Sequence, residues 1–218
     1  MSANSKAKRD RKKKDEQRKK NQSTPSPARY VGWEDVPKLT KQMFDPLTTP
    51  DELNEQVLTF AAELGVGAPI YLECQPELWS RQSMCNVNVE KFIETHGGEM
   101  LCGYRVWYTH PIYIEAERHA VWIKDNTIRD VSFADTGETR TLFFPDADPH
   151  VSPRKSFDDA PKKIRRAFSV THQRALKFHE EWESSRIIRE MAVEQAWANM
   201  LTYEQWLAGR RMRNLLPA

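Results

Sequence analysis

The chain has 218 residues, of which 39% are hydrophobic, and its 33 basic residues nearly balance its 31 acidic ones. This length and composition predict one domain with flanking extensions. No stretch approaches the roughly 20 apolar residues of a membrane span, and no apolar segment follows the first charges, so we expect neither membrane insertion nor a secretory signal. Three cysteines without CxxC spacing argue against a disulfide framework and favour a cytoplasmic setting.

The first segment, residues 1–28, is strongly basic. Residues 1–20 contain ten Lys or Arg against three acidic residues, a net +7, which leaves −5 for the rest of a chain whose total is +2. The segment lacks an apolar face, so we expect a disordered basic arm. Two interpretations stay open: weak contact of residues 1–20 with nucleic acid or ribosomes through phosphate neutralisation, or a solubilising tail.

Residues 29–150 carry the patterns of an α+β domain. A helix is predicted from Thr49, which we interpret as its N-cap, with Pro50 in the first turn and Gly65 at the end. Residues 68–74 then suggest a short strand.

A second helix is predicted to begin at Cys85 and to end at Gly97. Three strands follow at 99–108, 112–123 and 127–133, and 142–146 adds a short edge strand. Asp125 and Asn126 lie between the second and third strands and favour a hairpin, because Asn tolerates positive φ.

Residues 151–218 are predicted to form a helical C-terminal extension of two helices, with a break near Thr202 and Tyr203. Apolar and aromatic side chains recur along this segment at helical spacing: Phe178, Trp182, Ile188, Met191, Ala192 and Trp197. Such a stripe is typical of a face that docks against the domain or a partner protein.

Cys85, His119 and Asp130 form the candidate catalytic set. A thiol at a helix start has a lowered pKa because it lies at the positive end of the helix dipole. His119 and Asp130 lie on neighbouring predicted strands, where an imidazole can take the thiol proton and a carboxylate can orient the imidazole.

Each of the three also has a plain structural interpretation. Free cysteines are most often small buried apolar residues, which is how we interpret Cys74 and Cys102 and how Cys85 can also be interpreted. His119 can be a hydrogen-bonded core residue. Asp130 can be a carboxylate held by Arg129 or Arg118.

The succession of a cysteine that starts a helix, Gly103-Tyr104 on a strand, His119-Ala120-Val121-Trp122 on the next and Asp130 on the third resembles the transglutaminase-like and papain-like thiol fold. The similar region covers residues 70–135. This resemblance implies Cys85 as the nucleophile, His119 as the general base and acid, and Asp130 as the orienting residue. By the same analogy, Gln75 or Gln82 would donate to the oxyanion. Ser83 stands where transglutaminase-like cores commonly have glycine.

Zinc binding is the competing chemistry. The ligand types are present in Cys85, His96, Cys102, His110 and His119, but their spacing fits no compact zinc motif. We therefore predict no metal, and no cofactor, since the chain has no phosphate-binding loop and no GxGxxG or GxSxG motif.

The sequence thus predicts an α+β fold. A small antiparallel sheet packs on the helix that starts at the candidate nucleophile, with flanking helices and a long C-terminal helical extension. The expected function is thiol-dependent acyl transfer or amide hydrolysis, as in cysteine hydrolases and thiol proteases, on a peptide, protein or small amide. Two alternatives remain: a non-catalytic module that binds nucleic acid or ribosomes through the arm, and an adaptor that docks proteins through the Trp-rich helices.

Overall fold

The computed structural model describes residues 31–147, 153–186 and 191–212. Within these ranges the chain forms seven helices and six strands. The helices are α1 (Val36–Phe44), α2 (Glu55–Leu64), α3 (Cys85–His96), α4 (Pro153–Asp159), α5 (Val170–Ser184), α6 (Val193–Asn199) and α7 (Tyr203–Leu207). The strands are β1 (Ile70–Glu73), β2 (Glu99–Thr109), β3 (Tyr113–Lys124), β4 (Thr127–Arg129), β5 (Arg140–Pro145) and β6 (Lys163–Ala167). The predicted α+β class is confirmed.

All six strands belong to one antiparallel sheet, in the order β1-β5-β2-β3, and the outer edge of β3 is shared by β4 and β6. Strand β6 pairs with residues 113–117 and β4 with residues 122–124, so residues 118–121 pair with neither strand. The start of α3 lies at this gap, because Cys85 packs against the buried cluster that contains Ala120.

The two faces of the β2–β3 hairpin have different coverings. Side chains alternate between faces along a strand. The even-numbered ones at 104–108 and 114–116 form a core with α2, whereas Met100, Ala120 and Trp122 pack with α3. Buried members of this core are Val57, Phe60, Ala61, Tyr104, Val106, Ile114, Ala116 and Leu142. The apolar side of α2 thus covers the part of this face formed by residues 104–108 and 114–116.

On the odd-numbered face, α1 and α5 cover only the end near Tyr113, where Met43, Ala167 and Ala175 complete a buried cluster. Farther along this face the hairpin carries polar side chains. Arg105 and Glu117 are register partners, and so are Gly103 and His119. This part of the sheet is where the cavity described below lies.

The prediction that Thr49 caps the first domain helix is wrong. The helix, α2, begins at Glu55, and Asn54 is its cap, accepting a hydrogen bond from the Val57 N–H. The Thr49 hydroxyl instead donates to the carbonyl of Arg140 at 2.9 Å. A contact between distant segments therefore displaces a locally plausible helix start.

Three other features differ from the prediction. The third strand of the predicted set, β4, ends at Arg129 rather than 133, because the chain leaves β3 and the Asp130 carbonyl accepts from the N–H of Gln75. Strand β5 is internal, between β1 and β2, and not an edge strand. The segment 151–218 contains β6 as well as helices, and its described ranges hold four helices, α4 to α7, rather than the predicted two.

Candidate active site

Helix α3 begins at Cys85, as predicted. The residue before its N-cap turn, Ser83, has a φ of 58°, so the chain turns sharply into the helix. Asn88, one turn into α3, is completely buried and holds this turn, since its Oδ1 accepts from the Arg81 N–H at 2.7 Å. Its Nδ2 donates to the Arg81 carbonyl at 2.9 Å and to Ser132 Oγ at 3.1 Å. The position of the Cys85 thiol is thereby fixed relative to both flanking loops.

His119 lies on the odd-numbered face of β3 beside Cys85, since both line the same cavity and the imidazole acts on the pKa of the thiol. The opposite side of the imidazole faces Asp130, with His119 Nε2 3.0 Å from Asp130 Oδ2. Because Nε2 is taken by the carboxylate, Nδ1 is the nitrogen left for the thiol. The three predicted residues are therefore brought together in the order thiol, imidazole and carboxylate.

Asp130 is completely buried, and its charge is met by several donors. Oδ1 accepts from the Ser132 N–H at 3.0 Å, and Oδ2 accepts from Arg105 Nη2 at 2.8 Å as well as from His119. The guanidinium partner is thus neither of the two arginines considered from the sequence. Arg129 binds the Gln75 carbonyl and Glu77, and Arg118 binds Asp146.

Arg105 is the residue of this site that sequence analysis missed. It lies on β2 and is buried, 5% exposed, and its Nη2 is 3.1 Å from His119 Nε2. The signal that identifies it is the hairpin register, which pairs Gly103 with His119 and so places Arg105 next to the histidine on the same face. That register follows only once the hairpin turn is known.

The charges of the site favour a thiolate and an imidazolium. Burial opposes ionisation of Cys85, but His119 and the Ala120 N–H outweigh it and hold the pKa of the thiol below its ordinary value. Burial and Arg105 act to lower the pKa of His119, while Asp130 and Cys85 raise it more strongly, to about 9. Burial likewise opposes ionisation of Asp130, but His119 and Arg105 hold its pKa far below the usual range.

A cavity of about 380 Å³ lies against the candidate triad. Cys85 and His119 line it, and Cys85 is partly exposed. Its remaining walls come from the loop before α3, the odd-numbered face of β2 and β3, the segment after β4 and the end of α1. In that order, these elements contribute Gln82, Trp107 with Glu117, Phe133 and Phe44. A molecule in this cavity would be in reach of the thiol.

The two glutamines suggested as oxyanion donors occupy different places. Gln82 lines the cavity with Cys85, and its Nε2 donates to Asp135 at 3.2 Å. Gln75 is exposed, is not part of the cavity wall, and takes part through its backbone, whose N–H donates to the Asp130 carbonyl. The geometry therefore favours Gln82 of the two.

The other cysteines differ from Cys85 in their electrostatic surroundings. Cys74 lies 3.9 Å from Asp130 Oδ2, and burial together with that carboxylate raises its pKa to about 12. Burial raises the pKa of Cys102 to about 12 as well. Both thiols are therefore protonated at neutral pH, whereas the pKa of Cys85 is held below its ordinary value.

The five potential zinc ligands do not converge. Across the described ranges, no group of three or more His, Cys, Asp or Glu side chains is arranged to hold a metal ion. His96 stacks on Phe92 at the end of α3, and His110 is exposed beside Tyr108.

The C-terminal helices form a second wall behind this site. Tyr203 N–H donates to the Ser80 carbonyl and Gln82 N–H to the Leu201 carbonyl, which ties α7 to the loop before Cys85. Phe133 packs against Tyr203 and Trp206, with ring centroids 5.2 and 5.8 Å apart. The break at Thr202 is confirmed, because Thr202 caps α7.

The predicted aromatic stripe divides between two helices. Trp182 lies on α5 and is 47% exposed, whereas Trp197 lies on α6 and packs against Trp79. Ile188 lies outside the described residues, as does the basic arm of residues 1–28.

Compared with protein families, curated proteins and solved structures, the chain matches none. In the part of the chain that the structure describes, no helix combines the length and apolar character that crossing a bilayer requires.

Proposed function

We propose that this protein is a thiol-dependent enzyme that transfers acyl groups or hydrolyses amides, with Cys85 as nucleophile, His119 as general base and acid, and Asp130 as the orienting residue. The observation that carries the proposal is the succession from Cys85 through His119 to Asp130 at the wall of a cavity, in which His119 Nε2 lies 3.0 Å from Asp130 Oδ2 and the imidazole favours the Cys85 thiolate. The resemblance to transglutaminase-like and papain-like thiol proteins assigns the same three roles and is part of the proposal.

In the first step, the Cys85 thiolate attacks the carbonyl carbon of the substrate and a C–S bond forms. The electron pair moves to the carbonyl oxygen, where the free N–H groups at the start of α3 stabilise the negative charge. Gln82 supplies a further donor from the cavity wall. As the C–N bond breaks, His119 gives its proton to the leaving amine, and a thioester remains on Cys85.

In the second step, His119 takes a proton from water or from another nucleophile, which attacks the thioester. The C–S bond breaks, the acyl group leaves, and the Cys85 thiolate and protonated His119 are restored. Water gives hydrolysis, and an amine or alcohol gives acyl transfer. Peptides, proteins and small amides share this chemistry, so all three remain within the proposed substrate class.

Alkylation of the native protein tests the proposal. At pH 6, where an ordinary thiol is almost entirely protonated, we expect iodoacetamide to modify Cys85 about tenfold or more faster than Cys74 or Cys102, since of the three only Cys85 has a lowered pKa. Mass spectrometry of digested protein measures each rate. His119→Gln should slow Cys85 alkylation, and the Cys74→Ser/Cys102→Ser variant, which keeps only Cys85, should not.

A companion measurement looks for the acyl-enzyme. Mixing the protein with p-nitrophenyl acetate should release nitrophenol in a burst and leave one acetyl group on Cys85. Cys85→Ser should abolish the burst. If Cys85 is alkylated no faster than the other two cysteines in folded protein, the proposed function is wrong.

A further inference from the structure

Arg105 makes a contact pattern that differs from that of an arginine whose task is to hold the fold. Only its Nη2 is engaged at the site, 2.8 Å from Asp130 Oδ2 and 3.1 Å from His119 Nε2. Its Nε has no hydrogen-bond partner among the described residues, but the same holds for Arg118 Nε, so the difference between the two arginines lies in their terminal nitrogens. Arg105 therefore contacts the carboxylate of Asp130 through one nitrogen, although Arg favours two parallel hydrogen bonds to a carboxylate.

Arg118, on the neighbouring strand, provides the comparison. Its two terminal nitrogens bind the two oxygens of Asp146 at 2.6 and 2.7 Å, and one of them also donates to Ser156. This is the bidentate geometry expected of a structural ion pair. Arg105 lacks this bidentate geometry, and its Nη2 instead lies near both Asp130 and His119.

The three atoms at this position form a triangle with sides of about 3 Å. Because Asp130 is ionised, Oδ2 accepts from both nitrogens, and the Nη2–Nε2 separation is that of two donors sharing one acceptor. The guanidinium thus stands against a protonated imidazole. Its charge opposes protonation of His119, while the carboxylate favours it.

We propose that Arg105 is a positioning residue that divides the Asp130 carboxylate between itself and His119 and so sets the pH range over which the Cys85–His119 ion pair exists. This inference rests on the proposed function. Without the guanidinium, Asp130 would act on His119 alone and hold its proton more tightly. A tightly held proton is a poor one to give to the leaving amine.

The charged and titratable groups that face Arg105 come from four elements. They are Cys85 on α3, Glu117 and His119 on β3, Asp130 after β4, and Cys74 after β1. Lys163 on β6 approaches Glu117 at 3.5 Å, so a second cation balances that carboxylate. Of these groups, Cys85 and His119 set the pH range of the ion pair. The pKa of Cys85 sets its acid boundary, and the pKa of His119 sets its alkaline boundary.

The sign of the effect follows for both boundaries. Arg105 favours the Cys85 thiolate, so its removal raises the pKa of Cys85 and moves the acid boundary to higher pH. Arg105 opposes the imidazolium, so its removal also raises the pKa of His119 and moves the alkaline boundary to higher pH. The whole range is therefore displaced upward, by about one pH unit for a charge this close.

The test compares Arg105→Gln, which removes the charge and keeps a donor, with Arg105→Lys, which keeps the charge. The rate of Cys85 alkylation by iodoacetamide as a function of pH gives the first pKa. The His119 ring signals of ¹³C-histidine-labelled protein give the second, assigned with His119→Gln. We expect both values to rise by about one unit in Arg105→Gln and to stay near wild type in Arg105→Lys.

Arg118→Gln is the matched control, since it removes a buried arginine that contacts Asp146, and it should leave both pKa values in place. Arg105→Met replaces Arg105→Gln if the latter does not fold by circular dichroism. Unchanged pKa values in the neutral variant, or an equal shift in Arg105→Lys, would overturn the inference. An ordinary Cys85 pKa in the wild type would instead overturn the proposed function, and the His119 titration would still report on Arg105.

Discussion

At the scale of single residues, the site depends on a carboxylate that is buried and ionised. Asp130 is tolerated there because the Ser132 N–H, Arg105 and His119 replace the water it loses. The same three donors fix where the carboxylate stands, and therefore which way the imidazole faces. One set of hydrogen bonds thus stabilises the charge of Asp130 and fixes the orientation of the His119 imidazole.

Asp130→Asn should lower the free energy of unfolding by about 3–5 kcal/mol at neutral pH, because it leaves Arg105 buried without its counter-ion. The pKa of Asp130 is depressed in the folded state, so the unfolded chain binds the extra proton in acid. The stabilisation is fully present above the unfolded pKa, about 3.9, and is lost as the pH falls below it.

Urea unfolding of wild type and Asp130→Asn at pH 6.5 and pH 3.5 measures this dependence. The difference in free energy of unfolding between the two proteins should be smaller at pH 3.5 than at pH 6.5. Asp51→Asn, at an exposed carboxylate, should change stability by no more than about 0.5 kcal/mol at pH 6.5. If wild type and Asp130→Asn differ by the same free energy of unfolding at both pH values, Asp130 is not the ionised group we describe.

At the scale of elements, the Cys85 thiol is placed by the entry into α3 rather than by a side-chain cap. Met84 is the N-cap residue and provides no capping hydrogen bond. Asn88 compensates from inside the helix, because it binds both backbone groups of Arg81 and the Ser132 hydroxyl. This links the loop before Cys85 to the segment that carries Asp130.

Asn88→Ala should therefore weaken both the fold and the site. We expect a loss of about 2–4 kcal/mol in the free energy of unfolding, since three buried hydrogen bonds are broken and the groups of Arg81 lose their partner. Cys85 alkylation at pH 6 should slow in protein that remains folded. Chemical denaturation and the alkylation rate are the two measurements.

Thr95→Ala, at an exposed site in the last turn of α3, is the control and should affect neither property appreciably. If Asn88→Ala lowers stability but leaves the alkylation rate of Cys85 at the wild-type value, the placement of the thiol does not depend on Asn88.

At the scale of the whole molecule, the residues of the candidate triad lie between 85 and 130, but the elements that support the cavity walls extend to α7. The segment from Leu201 to Trp206 is joined to the loop before Cys85 by backbone hydrogen bonds and to Phe133 by ring packing. The C-terminal extension is consequently part of the structure that shapes the cavity.

Trp206→Ala should lower the free energy of unfolding by about 1–3 kcal/mol, less than for a fully buried aromatic, because Trp206 is only partly buried. Hydrogen exchange should rise at residues 78–84 and 131–134. Trp182→Ala, on α5 and half-exposed, is the matched control and should leave exchange at both segments unchanged. Equal exchange in the two variants would mean that α7 does not hold the cavity wall.

Much of the site could be predicted because its signals are local. The helix from Cys85 follows from apolar spacing and from Gly97 at its end, and the β3–β4 hairpin follows from Asp125 and Asn126, which take φ values of 48° and 62°. Strand alternation also places His119 on an inward face. These features depend on residues close together in the chain, where propensity and periodicity act directly.

Other features depend on contacts between distant segments, and these could not be predicted. Thr49 does not cap a helix because it binds Arg140, and the Asp130 partner is Arg105 rather than Arg118 or Arg129. Strand β6 forms because the edge of β3 is free beside residues 163–167. In each case the competing partner is set by strand register and not by neighbouring sequence.

The sequence by itself therefore determined the residue types, their order and the local structure on which each is carried: a thiol at a helix start, an imidazole on a strand and a carboxylate after the next. Tertiary structure decided that these three meet, that Arg105 stands against Asp130 and His119, and that a cavity opens beside the thiol. The physical reason is that hydrogen-bonding and packing preferences of a short segment are encoded locally. The charge environment of a buried group, in contrast, is the sum over every element that packs around it.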